Sequence, residues 1–271
     1  MPLINRLTEG FDGIKNSKKL IHCITNPISI NQCANTVLAL GNKPIMAEHP
    51  KEVYDITLSS DSLLVNIGNI TDVRMKSIKI SCRAANKKNI PIVFDAVGVA
   101  CSSMRKAYAK KIIKKYKPAV IKGNYSEIYA LYQDEYKSKG VDSEELDKEK
   151  IISVSDTLAK KLNCTILASG KTDVVACNGE YTCISNGVKQ LSDITGTGCM
   201  LGALTATFLP STSAYLGAVL ACAVLGIAGE KAYTDGKNGT FMVSLLDELS
   251  TLDAKDIEEK IKLEVKPNER A

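Results

Sequence analysis

The chain has 271 residues, 45% hydrophobic and 24% charged, a balance that excludes disordered, collagen-like and coiled-coil classes and leaves a globular protein with a sizeable core. Aromatic residues make up 5% and Trp is absent, so the stacking platforms of a single-stranded nucleic-acid binder are poorly supplied. The net charge of +5 comes from 35 basic residues scattered among 30 acidic ones, without the dense basic block of a phosphate-tracking surface, so no nucleic-acid partner is expected.

The N-terminus, MPLINRLTEGFDGIKNSKK, lacks the apolar core of a signal peptide, and nothing in it points to export. Further along, the runs SLLVNIG (62–68), IPIVFDAVG (90–98), PAVIKGN (118–124) and CTILASG (164–170) are short and β-branched, and each ends in turn-forming or small polar residues. Continuous apolar strands of this kind suit a parallel sheet covered on both faces. Helical spacing fills the gaps at 72–88, 104–116 and 150–162, so the alternation predicts βαβ units. The segment Asp134–Lys150 is almost wholly charged or polar and reads as a solvated surface.

Beyond the last of these strands, Asn178-Gly179 inside VVACNGEYTCI (174–184) supplies the positive-φ pair of a type I′ hairpin, predicting an antiparallel edge. Consecutive helices rich in small residues follow at 196–209, 211–233 and 240–252, with Pro210 between the first two. Ala214–Gly229 carries no charge over sixteen residues. That is shorter than the ~20 a bilayer requires, and the segment is predicted to be a helix buried among others, with no membrane partner. No repeat or composition shift marks a linker, so one domain over 1–271 is expected.

Nine cysteines, odd in number and without a C-x-x-C pair, accompany only two histidines. Zinc frameworks of the usual spacing are absent. Most of these thiols sit in apolar runs as small hydrophobes, and a reducing cytoplasm suits them.

Ligands of open α/β sheets bind outside the carboxyl ends of the strands. The polar residues ending the apolar runs are Asn66, Asn69, Asp95, Lys122, Asn124, Glu127, Ser169 and Lys171, a set suited to a phosphate and a hard cation. The strongest local feature is DITGTGCMLG (193–202), a glycine-rich turn that runs into a helix. Gly196 and Gly198 allow successive N–H groups to converge, and the helix start adds partial positive charge. The other reading of such a turn is close helix packing. A Walker A motif fails because Thr165 stands at its first glycine, and G-x-G-x-x-G fails at Leu201.

Cys199, in the first turn of that helix, occupies an electropositive position that favours a thiolate, so it is a candidate base or nucleophile. Asp95 is a candidate Mg²⁺ ligand, directly or through water. Glu127, three residues after Asn124, fits a capping box by its spacing and a metal site by its pairing with Asp95.

The stretches ITNPISINQCANTVLALGNKPIMAEHPKE (24–52), VNIGNI (65–70), PIVFDAVGV (91–99), IKGNYSEI (121–128), ASGKTDVV (168–175) and DITGTGCMLGAL (193–204) together resemble the hydroxyethylthiazole kinases, thiamine-salvage members of the ribokinase-like superfamily. The resemblance implies a three-layer α/β/α fold, its mostly parallel central sheet carrying an antiparallel hairpin at one edge. It also implies ATP-dependent phosphorylation of the primary alcohol of 5-(2-hydroxyethyl)-4-methylthiazole, with Mg²⁺, by a homotrimer whose active sites lie between subunits. Asn26, Met46 and Gly196 would then meet the thiazole, with Pro27 and Ile28 extending an apolar wall, while core packing is the other reading of Met46. Lys122, Asn124, Ser169 and Gly170 would meet ATP, and Asp95 and Glu127 would serve the metal. The turn Gly196, Thr197, Gly198 would hold the γ-phosphoryl, with Cys199 as base. Two departures stand out: Lys122 where the family has Arg, a point charge in place of a bidentate fork, and Asp95-Ala96 where it has Asp-Pro. Kinases of pyrimidine or pyridoxal alcohols, the ATP-dependent dehydratase of hydrated nicotinamide cofactors, and a binding protein without turnover are the competing readings.

Overall fold

The β-branched runs become strands of one sheet. The computed structural model describes residues 2–15, 17–133 and 147–266. Its strands are β1 (Leu20–Ile24), β2 (Lys43–Ile45), β3 (Ser62–Asn66), β4 (Ile92–Asp95), β5 (Val120–Asn124), β6 (Thr165–Ser169), β7 (Asp173–Cys177), β8 (Glu180–Ile184) and β9 (Leu263–Lys266). They lie in the order β2-β1-β3-β4-β5-β6-β7-β8-β9, parallel from β2 to β6 and antiparallel from there on.

Alternation along each strand sends successive side chains to opposite faces. Leu64, Val93, Val120, Leu167 and Val175 face one core, and their neighbours Leu63, Val65, Phe94, Ile121, Ile166 and Val174 face the other. On the first face pack α1 (Leu3–Lys15), α2 (Ile30–Ala39), α8 (Thr197–Phe208), α9 (Ala214–Ala232), α10 (Asn238–Thr251) and α11 (Ala254–Lys260). On the second lie α4 (Asp72–Lys87), α5 (Ser103–Tyr116), α6 (Tyr125–Tyr132) and α7 (Lys148–Leu162), and the short α3 (Val53–Leu58) packs beside α4. The three-layer α/β/α architecture expected from the sequence is therefore present.

The hairpin forms where Asn178-Gly179 predicts it, with φ of +48° and +92°. It is not the last element of its side, because β9 pairs along β8 and contributes the outer edge. A four-residue strand reading LEVK carries too little apolar patterning to register, and its alternate charges suit an exposed edge. β1 and β2 also lack a strand signature. β1 has His22 at its centre, and β2 is three residues long with Pro44 inside it, tolerated at the sheet's edge where no second partner needs its N–H.

α9 extends three residues past the uncharged stretch, to Ala232, because Glu230 and Lys231 form its last turn. It is long and apolar enough to cross a bilayer, yet 83% of its apolar window is buried within the protein, against α8, α10 and the sheet. Of the charged segment Asp134–Lys150, residues 134–146 lie outside the described residues, and Lys148–Lys150 open α7 behind the N-cap of Asp147. Six of the nine cysteines are buried, Cys101 is exposed, and Cys177 and Cys199 are intermediate.

Candidate active site

Register decides which polar strand ends meet. Asn66 pairs with Asp95 across β3 and β4, and Asp95 with Lys122 across β4 and β5. Each lies two residues beyond Leu64, Val93 or Val120, so all three point to the face that carries α8. The Lys122 ammonium donates to Asp95 Oδ1 at 3.0 Å, and Asn66 Nδ2 donates to Asp95 Oδ2 at 3.0 Å. Asp95 is fully buried and Lys122 nearly so, at 0% and 3% exposure.

Helix α8 closes over this row because Gly202 has no side chain: a Cβ there would stand 3.3 Å from both Asp95 Oδ2 and Leu64 Cδ1. Its N-cap, Gly196, has φ +98°, a conformation that favours glycine. The turn is braced from near and far in the chain. Thr197 Oγ1 donates to the Leu191 carbonyl at 2.6 Å, and buried Gln190 bonds the Thr234 carbonyl at 3.0 Å and accepts from its N–H at 3.2 Å. The Thr197 hydroxyl is thereby used for support, leaving its backbone N–H as its contribution to the turn. Gly198 is exposed and Cys199 half-buried, so the turn faces outward rather than into packed interior. Lys122 Nζ lies 3.8 Å from where a Cβ on Gly198 would be. An ammonium beneath the unpaired N–H groups of a helix start makes a place for a phosphoryl group.

Cys199 Sγ is 3.2 Å from Asn26 Nδ2 and 3.2 Å from Asn66 Nδ2. Asn26 is the buried residue after Thr25 at the end of β1, and its own Oδ1 accepts from Ser29 N–H at 3.2 Å. Asn26, expected beside the substrate, lies against the candidate base. Asn66 is one of the strand-end polar residues, yet nothing in its spacing marks it as a partner of Cys199, since the two are 133 positions apart.

Glu127 serves the capping box that its spacing predicts. Asn124 Oδ1 accepts from Glu127 N–H at 2.9 Å, and Glu127 Oε2 accepts from Asn124 N–H at 2.7 Å. Its other oxygen accepts from Gly98 N–H at 2.7 Å, which ties the loop after β4 to α6. Burial raises the Glu127 carboxyl above its ordinary range, and repulsion from Asp95 adds to this, against Lys122 and the two amides. Burial likewise pushes Asp95 up, opposed by Lys122 and Asn66. Desolvation would lower Lys122, but Asp95 and Glu127 outweigh it and hold the ammonium protonated. Two acids thus share one lysine, a donor set that fits a hard cation held mostly by water and phosphate oxygens. Among the described residues, no cluster of three or more His, Cys, Asp or Glu exists that would hold a metal unaided.

The residues expected to meet ATP surround the next strand end. Asn124 and Ser169 are register partners across β5 and β6, and Ser169 Oγ donates to the Gly123 carbonyl at 3.4 Å. Gly170 lies on the Tyr125 ring, 2.7 Å from where its Cβ would be, and its N–H donates to Asp173 Oδ1 at 3.0 Å. The Tyr125 hydroxyl donates to the Thr172 carbonyl at 2.5 Å, so this short turn is held from two sides. Met46 is half-buried against the α8-side core, while Pro27 and Ile28 are exposed, Ile28 by 66%.

The sequence profile of the Hydroxyethylthiazole kinase family matches residues 11–255. A hydroxyethylthiazole kinase of Finegoldia magna is 43% identical over 259 residues, covering 96% of each chain. The solved structure of a hydroxyethylthiazole kinase protein from Pyrococcus horikoshii OT3 superposes with a TM-score of 0.88 at 30% identity, over 96% of this chain and 99% of that one. A ribokinase-like superfamily protein from Enterococcus faecalis V583, at 13% identity and a TM-score of 0.62 over 91% and 89% of the two chains, shares the fold alone.

Proposed function

Since the chain belongs to the hydroxyethylthiazole kinase family, we propose that the Cys199 cluster is where it transfers the γ-phosphoryl group of ATP to the primary alcohol of 5-(2-hydroxyethyl)-4-methylthiazole. The observation that carries the assignment is the juxtaposition at α8: an outward-facing glycine turn, the Lys122 ammonium beneath it, and a half-buried thiol whose neighbours Asn26 and Asn66 are both N–H donors.

Phosphoryl transfer leaves the protein mainly positioning and charge stabilisation to perform. The backbone of Gly196, Thr197 and Gly198 holds the γ-phosphoryl, and Lys122 offsets its charge. Cys199 Sγ accepts the proton of the substrate hydroxyl as the alcohol oxygen bonds to the γ-phosphorus. The bond from that phosphorus to the β,γ-bridging oxygen breaks, and ADP leaves with that oxygen. Asp95 and Glu127 would hold Mg²⁺, and the ion would supply charge neutralisation at the phosphate oxygens. Ser169, Gly170 and Asn124 line the nucleotide, on the turn that Tyr125 and Asp173 support. Asn26, Met46 and Gly196 bound the thiazole.

In this reading a second copy of the chain covers the mouth of the site, as in a homotrimer, which accords with the exposure of Ile28 and Ile30 beside it, 66% and 37%. The chain works as one domain, and its unpaired thiols suit a reducing cytoplasm. The experiment is direct: incubate the protein with Mg-ATP and the thiazole alcohol, with pyridoxal and a hydroxymethylpyrimidine in parallel. Mass spectrometry should find the thiazole phosphate ester in excess over the other esters. Loss of phosphate from ATP without an ester, or preference for another alcohol, would reject the assignment.

A further inference from the structure

Asn66 has no assigned part in the reaction, yet its geometry is fully constrained. It is 0% exposed. Gly68 N–H, which can only donate, lies 2.8 Å from Asn66 Oδ1. The amide oxygen must therefore face Gly68, and the two hydrogens of Nδ2 must face the other way, one toward Asp95 Oδ2 at 3.0 Å and one toward Cys199 Sγ at 3.2 Å. Gly68 also keeps this amide in place by its own smallness, since a Cβ there would come within 2.9 Å of Asn66 Oδ1. Asn26 is oriented from two sides, its oxygen accepting from Ser29 N–H and its Nδ2 donating to Asn66 Oδ1 at 3.4 Å. Neither amide can turn an oxygen to the sulfur.

Both described side chains that hydrogen-bond this sulfur are N–H donors, which stabilises it as an acceptor, the form a base requires. Asp95 on β4 is reached from the sulfur through Asn66, whose two hydrogens are divided between them. Among the described residues, Asn66 is the side chain that hydrogen-bonds both the thiol and the Asp95–Lys122 pair.

We propose that Asn66 is a positioning residue that holds Cys199 ready to accept the alcohol proton and links it to the buried Asp95–Lys122 pair, without touching substrate. The inference rests on the reading of Cys199 as the base. It goes beyond that reading by assigning the preparation of the base to a residue on the sheet rather than to the helix start alone.

A double-mutant cycle separates this role from a merely structural one. Asn66→Ala should lower kcat by about 10–100-fold, within the range that impairing a general base produces, while KM for ATP and for the thiazole stays within about twofold. In the Cys199→Ser background the same substitution should lower kcat by less than about threefold, because the group it prepares is gone. Independently of turnover, the rate of Cys199 alkylation by iodoacetamide at one fixed neutral pH, followed by peptide mass spectrometry, should fall by about threefold or more in Asn66→Ala, because the sulfur loses an N–H donor. If Asn66→Ala proves unfolded by circular dichroism, Asn66→Ser is carried through the same cycle. An equal penalty in both backgrounds, or an unchanged alkylation rate, overturns the proposal. A wild-type kcat for Cys199→Ser alone overturns instead the reading of Cys199 as the base, so the two failures are distinguishable.

Discussion

Replacing Lys122 by Met removes the ammonium paired with Asp95 while keeping most of the side-chain volume. The pair is 3.0 Å apart, with side chains 4% and 0% exposed, and without Lys122 the Asn66 amide is what remains to Asp95 in the buried row. Breaking a buried ion pair from one side leaves an uncompensated charge and costs about 3–5 kcal/mol. With an unfolding entropy of ~2.1 cal/mol/K per residue, a chain of 271 residues should lose about 5–9 °C in Tm. The double variant Lys122→Met/Asp95→Asn removes both charges and should recover most of that loss, although it remains inactive. Differential scanning calorimetry at pH 7 and low salt reads both values, with urea unfolding as a second measure. A single variant as stable as the wild type, or a double variant no more stable than the single one, would show that the two groups do not form a buried charged pair.

Three further outcomes follow from named contacts. Cys199→Ser should lower kcat by about 10²–10⁴-fold, the usual cost of losing a general base, with little change in KM for ATP; steady-state kinetics with kcat near wild type would retire the thiol as base. Burial pushes the His22 imidazole below its ordinary range, against the pull of the Ala47 carbonyl that it bonds at 2.9 Å. The fold therefore favours neutral His22, and this stability is complete above the unfolded value near 6.5 and is lost as pH falls below it, by up to about 1.4 kcal/mol per pH unit. Urea midpoints should fall more steeply from pH 7 to pH 5 for wild type than for His22→Asn, and parallel curves would contradict this. For Asp173, desolvation pushes the carboxyl up to about 6, opposed by the Gly170 amide, Cys222 and Lys122. The fold here favours the protonated acid, so stability declines as pH rises from the unfolded value through about 6. The Tm of Asp173→Asn relative to wild type should become more favourable from pH 5 to pH 8; a constant difference would count against the shift.

Much of this protein was legible along the chain because its signals are local. The β-branched runs, the helical spacing between them, the Asn178-Gly179 turn and the glycine-rich entry to α8 each depend on neighbours in sequence, and each produced the element expected. The capping role of Glu127 was visible for the same reason, as three residues suffice to define it. Elements with mixed or short patterns were not legible: β1, β2 and β9 become strands only because a neighbouring strand offers hydrogen bonds, an influence that no local window contains.

For the site, the amino-acid order alone established the residue types, an acid, a lysine and an amide at the strand ends and a thiol behind a glycine turn. It left Asn66 without a task. Tertiary structure decided their union, because strand register and side-chain parity set Asn66, Asp95 and Lys122 in one row on the α8 face, and the missing side chain of Gly202 lets the helix approach that row. Hydrogen bonds and buried charges act over about 3 Å, whereas the partners are separated by 27 to 173 positions in the chain. Chemistry of that range comes into being only when the backbone has closed the distance.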